Sequence, residues 1–249
     1  MRARGAVPDF RSPCAGRAAR ARRARQPENL IGFAHGWASV HEQYPDDADA
    51  ALFYALAQLA TADPSDKTFA QQRRAGELVE SVFARHPDHP GAHHCIIHAY
   101  DYPPLARRAL EVARAYGRIA PEVPHALHMP THIFTRLGLW QDSIDWNSRS
   151  AKAALANPVA GAVSLHYLHA LDYLVYAHLQ RGEDGQAQRI GETLQRLQPP
   201  VQKELASAYA FAAVPARIAL ERQRWPTLWR WRRECLRGLL GTRSPRWKR

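Results

Sequence analysis

The chain has three cysteines in 249 residues, Cys14, Cys95 and Cys235, at no repeating interval. That excludes a disulfide framework and a cysteine-built zinc domain. No apolar run reaches the ~20 residues that a membrane helix needs, so no membrane span is expected. The first residues contain no apolar stretch long enough for a secretory signal, which makes a cytoplasmic protein the expectation. Strand signals are scarce too: β-branched runs are few and no alternating apolar pattern appears. Neither HExxH nor a CxxC pair is present, so the strongest metal signatures are missing.

Acidic residues are nearly absent from both ends. The formal net charge is +11, but residues 1–26 hold eight Arg against one Asp (+7). Residues 222–249 hold nine Arg and one Lys against one Glu (+9), which leaves the stretch between them at −5. A charge excess confined to the ends reads as appended tails rather than a basic binding face. Residues 1–27 are accordingly read as a basic, disordered extension and 241–249 as a basic tail. The body offers no basic stripe interleaved with aromatics, so no specific nucleic-acid partner is expected.

What is present is helix after helix. Apolar residues make up 46% of the chain, which suits a globular core and is too many for a disordered one. From about residue 28 the text is rich in Ala and Leu, and prolines recur at 45, 87, 121 and 158. Intervals of 42, 34 and 37 residues lie near the 34-residue period of tetratricopeptide repeats. The spacing predicts first helices at about 48–61, 91–101, 124–138, 163–181 and 204–221. It predicts second helices at about 69–85, 104–119, 141–156, 184–197 and 226–240, with 28–43 ending an incomplete earlier repeat. Gly138 and Gly182 mark tight turns between the paired helices, and ALERQRW (219–225) repeats that turn without a glycine. The expected fold is all-α over 28–240: antiparallel helix hairpins stacked into a right-handed superhelix, with first helices on the concave side.

Thirteen histidines are many for this length, and nine fall in three clusters, each on a predicted first helix. The first cluster holds His93, His94, His98 and Asp101; the second holds His125, His128 and His132; the third holds His166, His169, Asp172 and His178. Spacings of three and four place such residues on one helix face. Three consecutive concave-side helices then set three polar stripes side by side. Imidazoles and carboxylates among apolar neighbours are costly unless partnered. Three explanations stand open: a mutual hydrogen-bond network, a divalent metal such as zinc, or a metal-free catalytic or ligand-binding groove. A metal would draw on His94, His98, His128, His132, His166 and His169, with Asp101 and Asp172 as ligands or supporting partners. Pro130 interrupts the second cluster and predicts a kink, or a helix start, beside these histidines.

The strings HPDHPGAHHCIIHAYDYPPLA, APEVPHALHMPTHIFTRLGLWQDSIDWN and LHALDYLVYAHLQ resemble a family of bacterial tetratricopeptide-repeat proteins. Its members carry segments of the form HPGxxHYxIHxYD, PHALHMPSHIFxRLGxW and HAxDYLxYAYLQ. The resemblance runs from about Tyr44 to Trp225; Cys95 stands where the family has Tyr, and Thr131 where it has Ser. It implies an all-helical repeat fold and no particular reaction.

The first functional expectation is a scaffold rather than an enzyme, binding a peptide or protein partner in its concave groove by analogy with the architecture. That groove would be lined by His94, His98, Asp101, His125, His128, His132, Arg136, His166, His169, Asp172 and Tyr173. The alternative is a metal-binding or metal-dependent hydrolytic protein, with a metal-bound water as nucleophile. Cys95 is expected to be an inert core thiol between Ile96 and its neighbours, not a nucleophile.

Overall fold

The structure is a computed structural model that describes residues 13–197, 201–202 and 204–226, with side chains from residue 28 onward. It is all-helical: the described residues contain isolated β-bridges but no strand. No helix among them is long and apolar enough to cross a membrane. The chain divides into two compact units, residues 1–99 and 100–249.

The first unit contains α1 (Pro13–Gln43), α2 (Ala48–Ala60), α3 (Ala70–Arg85) and all but the last residue of α4 (Pro90–Tyr100). The helical backbone of α1 runs back to Pro13, into the Arg-rich segment set apart above; residues 1–12 lie outside the described residues. Asp47 caps α2, its carboxylate accepting from the Ala50 N–H at 2.9 Å, a contact worth about 1 kcal/mol. Small residues on α2 (Ala51, Ala55) are fully buried. Both α1 and α3 pack on this helix. Gln71 of α3 donates to the Gln58 carbonyl at 2.6 Å and to Thr61 Oγ1 at 3.0 Å, pinning the hairpin. On α3, Ala75, Val79 and Val82 are buried at helical spacing.

The second unit starts at Tyr100 and continues through a 3₁₀ turn (Ala106–Ala109) into α5 (Leu110–Ile119). Then follow α6 (Pro124–His128), α7 (Pro130–Arg136), α8 (Trp140–Ala156), α9 (Leu165–Gln180), α10 (Asp184–Gln195) and α11 (Leu205–Glu221). Helix α9 is the centre of its core. It packs against α8, α10 and α11 and buries Leu168, Leu171, Leu174 and Val175 with Ile144, Ala187, Leu194 and Val214.

Two details of the chain path matter for the site. The predicted single helix at 124–138 is two short helices that meet at Met129. Pro130 has no N–H to continue the ladder, so the axis breaks there while Met129 keeps helical angles (φ −51°, ψ −42°). The inter-helix turns predicted at Gly138 and Gly182 share one geometry. Both glycines have positive φ (70° and 72°), and the next N–H reaches back five residues: Leu139 to the Phe134 carbonyl at 2.8 Å, Glu183 to His178 at 2.9 Å. The same pattern recurs at Gln223 (φ 52°), with the Arg224 N–H on the Ala219 carbonyl at 2.8 Å. The helix expected at about 226–240 and the tail at 241–249 fall almost wholly on residues 227–249, outside the described residues.

Candidate metal centre

Three histidines from three helices converge in the second unit. His128 ends α6, His132 lies in the first turn of α7, and His169 lies one turn into α9. Ring nitrogens of the three all come within 4.8 Å of one another, the one such group of histidine, cysteine and carboxylate side chains among the described residues. Four residues apart, His128 and His132 share one face across the break at Met129, with ring centroids 4.9 Å apart and planes at 81°. From α9, His169 closes on His128 at a centroid distance of 4.4 Å.

The partners of each ring fix where its lone pair points. Asn147 of α8 donates its amide N–H to the Ser143 carbonyl at 2.9 Å, so its Oδ1 faces the other way. That oxygen accepts from His128 Nδ1 at 2.8 Å. On His132, Nδ1 donates to Asp101 Oδ2 at 2.9 Å, with the Tyr173 hydroxyl 3.2 Å away. With both Nδ1 atoms carrying protons, the two Nε2 atoms face each other at 3.1 Å. Two neutral imidazoles cannot hold that position on their own, because lone pair meets lone pair. Something positive must sit between or beside them, either a shared proton or a metal ion.

Electrostatics disfavour a proton on two of the three rings, His128 and His169. His128 is 1% exposed, and burial, then the neighbouring His132 and His169, push its pKa well below the ordinary value. His169 is lowered to about 4, chiefly by burial and then by His132. A metal suits the same geometry. Four tetrahedral ligands at bond lengths near 2.1 Å stand about 3.4 Å apart, about 0.3 Å more than the observed 3.1 Å. A carboxylate or amide on the far nitrogen is also the arrangement that orients metal-ligating histidines.

Asp101 serves two partners. Its Oδ2 holds His132, and its Oδ1 accepts from Arg136 Nε at 2.8 Å. Burial alone would raise the Asp101 pKa; the hydrogen bond and charge of His132, with the Arg136 guanidinium, outweigh it and keep the carboxyl below its ordinary value. Tyr173, one turn beyond His169, packs its ring 4.7 Å from His128 and 5.2 Å from His132. Its phenol is shifted upward by burial, then by the charge of Asp101, and stays protonated at neutral pH.

Asp172, 1% exposed, binds Arg217 of α11 in a bidentate ion pair (2.7 and 3.1 Å). His166 packs against His125 at a centroid distance of 5.2 Å. His94 and His98 lie in the first unit, where their rings meet edge to face at 4.5 Å. Of the six candidate ligands, His128, His132 and His169 form the convergent group; His94, His98 and His166 stand outside it. Asn147, Arg217 and Tyr209 were missed in the sequence. Arg217 carried a usable signal, as the one cation inside the apolar α11 string LASAYAFAAVPARIALE.

No protein-family model, curated protein or solved structure matches the chain.

Proposed function

We propose that the second unit holds one divalent transition metal on His128, His132 and His169, and that the chain presents this centre on a tetratricopeptide-like repeat scaffold. The observation that carries the reading is the 3.1 Å approach of His128 Nε2 to His132 Nε2 while the opposite nitrogens face Asn147 and Asp101. Neutral imidazoles with carboxylate support suit zinc, iron or manganese. Three protein ligands leave a coordination position open, as in catalytic rather than structural zinc sites. A cavity of about 410 Å³, lined in part by His132 and His169, adjoins them and gives that position access. A metal-bound water there would be a competent nucleophile, which makes hydrolysis the reaction class to assay first.

The scaffold part of the reading is supported by the repeated turn at Gly138, Gly182 and Gln223 and by the helix spacing. A grip on acidic peptide ends has less support, since both arginines lining this cavity already face a carboxylate.

The test is metal analysis of the full chain, purified without a histidine tag or chelator, beside His132→Ala. About one equivalent in the wild type and almost none in the variant is expected. Less than about a tenth of an equivalent, with no rise in melting temperature on adding zinc or manganese, refutes the reading.

A further inference from the structure

The wall of the cavity has a chemistry of its own. At about 410 Å³ it falls within the range of small-molecule sites. Besides His132 and His169, it is lined by Arg136, Arg217, Tyr173, Tyr176 and Tyr209, and by Asp101 and Asp172, each paired with one of the arginines. Arg217 engages Asp172 through Nε and Nη2, with Nη2 3.4 Å from the Tyr209 hydroxyl, so Nη1 stays outside the ion pair. Its guanidinium lies over the Tyr176 ring, 5.1 Å from the centroid, within cation–π range. Arg136 meets Asp101 through Nε alone, so both its terminal nitrogens stay outside that contact. Each guanidinium can therefore donate to a guest without releasing its carboxylate.

These groups select a class of guest. Phenol hydroxyls and guanidinium N–H groups offer donors to an oxyanion, and the tyrosine rings offer a face to an apolar or aromatic body. The charge balance selects further. Asp101 and Asp172 already neutralise Arg136 and Arg217, so a dianionic phosphate would meet two carboxylates with no uncompensated arginine to offset them, and a bound metal would be the one net positive charge beside it. A single carboxylate carries half that charge, and its planar head matches the guanidinium fork.

We propose that this cavity binds an organic monocarboxylate with an apolar or aromatic body, its head group taken by Arg217 and Arg136 beside the open position of the metal. The proposal deepens the metal-centre reading and rests on it for the placement of the head group, so the test reads metal and carboxylate separately.

The full chain is loaded with Co²⁺, whose visible bands report coordination, and titrated with benzoate, its neutral isostere benzamide, and inorganic phosphate. Binding is followed by both the bands and calorimetry. The expected result is benzoate binding that perturbs the Co²⁺ bands, with benzamide and phosphate at least tenfold weaker. The double variant Asp172→Asn/Arg217→Gln, which removes the ion pair as a unit, should take up Co²⁺ as the wild type does and bind benzoate at least tenfold more weakly. If Co²⁺ is not taken up, the metal reading fails, and the benzoate and benzamide heats alone decide the cavity. Benzoate that gives no heat, or that binds no better than benzamide or phosphate, overturns the proposal. So does a folded double variant that binds benzoate as the wild type does. If the double variant does not fold, the benzoate–benzamide comparison on the wild type decides.

Discussion

Asp101→Asn removes one charge from the site and almost no volume, so its effect isolates what the carboxylate does. In the native chain Oδ2 accepts from His132 Nδ1 at 2.9 Å and Oδ1 from Arg136 Nε at 2.8 Å. An asparagine has one carbonyl oxygen for these two donors, and its NH₂ would face whichever donor the oxygen leaves. The arm to Arg136 is worth at most about 1 kcal/mol, because that side chain is 43% exposed. The arm to His132 is worth more, with the two side chains only 15% and 20% exposed. Loss of a charged partner behind a metal-bound imidazole costs about 10- to 100-fold in metal affinity, or about 1.4–2.7 kcal/mol. Competition for Zn²⁺ against a chromophoric chelator reads this directly, with circular dichroism to confirm folding. Affinity within twofold of the wild type would refute the claim that Asp101 orients His132. A loss beyond about 1,000-fold would also refute it, and would mark Asp101 as a ligand itself.

Three further outcomes follow from the same structure. A Cβ at Gly117 of α5 would fall inside the Trp146 ring, so Gly117→Ala should lower stability by about 1–3 kcal/mol in chemical denaturation despite the gain in helix propensity, and an unchanged midpoint would contradict this packing. Burial raises the Cys95 thiol to about 12, so in a Cys14→Ser/Cys235→Ser background it should stay unreactive toward a disulfide reagent at pH 8 until the chain unfolds; labelling within seconds in the native state would refute that burial. His169 is lowered to about 4 in the folded chain, so the unfolded chain binds its proton first. Stability of the metal-free protein should be full above about pH 6.5 and fall as pH drops toward 4, by up to about 3 kcal/mol from this residue alone, and a flat urea midpoint between pH 7.5 and 5 would contradict the shift.

Much of the fold was legible because it is written in local signals. The periodic apolar face of α3 and the prolines before α4 and α6 set helix ends that agree with prediction to within a few residues. The glycine turns at Gly138 and Gly182 were equally plain, and Gln223 shows the same turn where the residue type hides it. The exception at Met129 was foreseen as a kink or a start at Pro130; two complete short helices result because the chain resumes helical hydrogen bonding at once. The site was legible only in part. Histidine spacing marked the right helices and the His128–His132 pair, but that His169 and not His166 joins them depends on how α9 packs. Asn147 reads in sequence as an ordinary polar residue on α8, and only its bond to Ser143 shows that its oxygen faces His128. The stripe on α9 likewise divides: His169 joins the centre while Asp172 turns to Arg217, a partner 45 residues away with no motif linking them.

The most direct measurement is anomalous diffraction at the zinc edge from a crystal of the chain grown with Zn²⁺. The account predicts one strong peak about 2.1 Å from a ring nitrogen of each of His128, His132 and His169. No peak at that position, with His128 Nε2 and His132 Nε2 still facing each other near 3.1 Å, would contradict it.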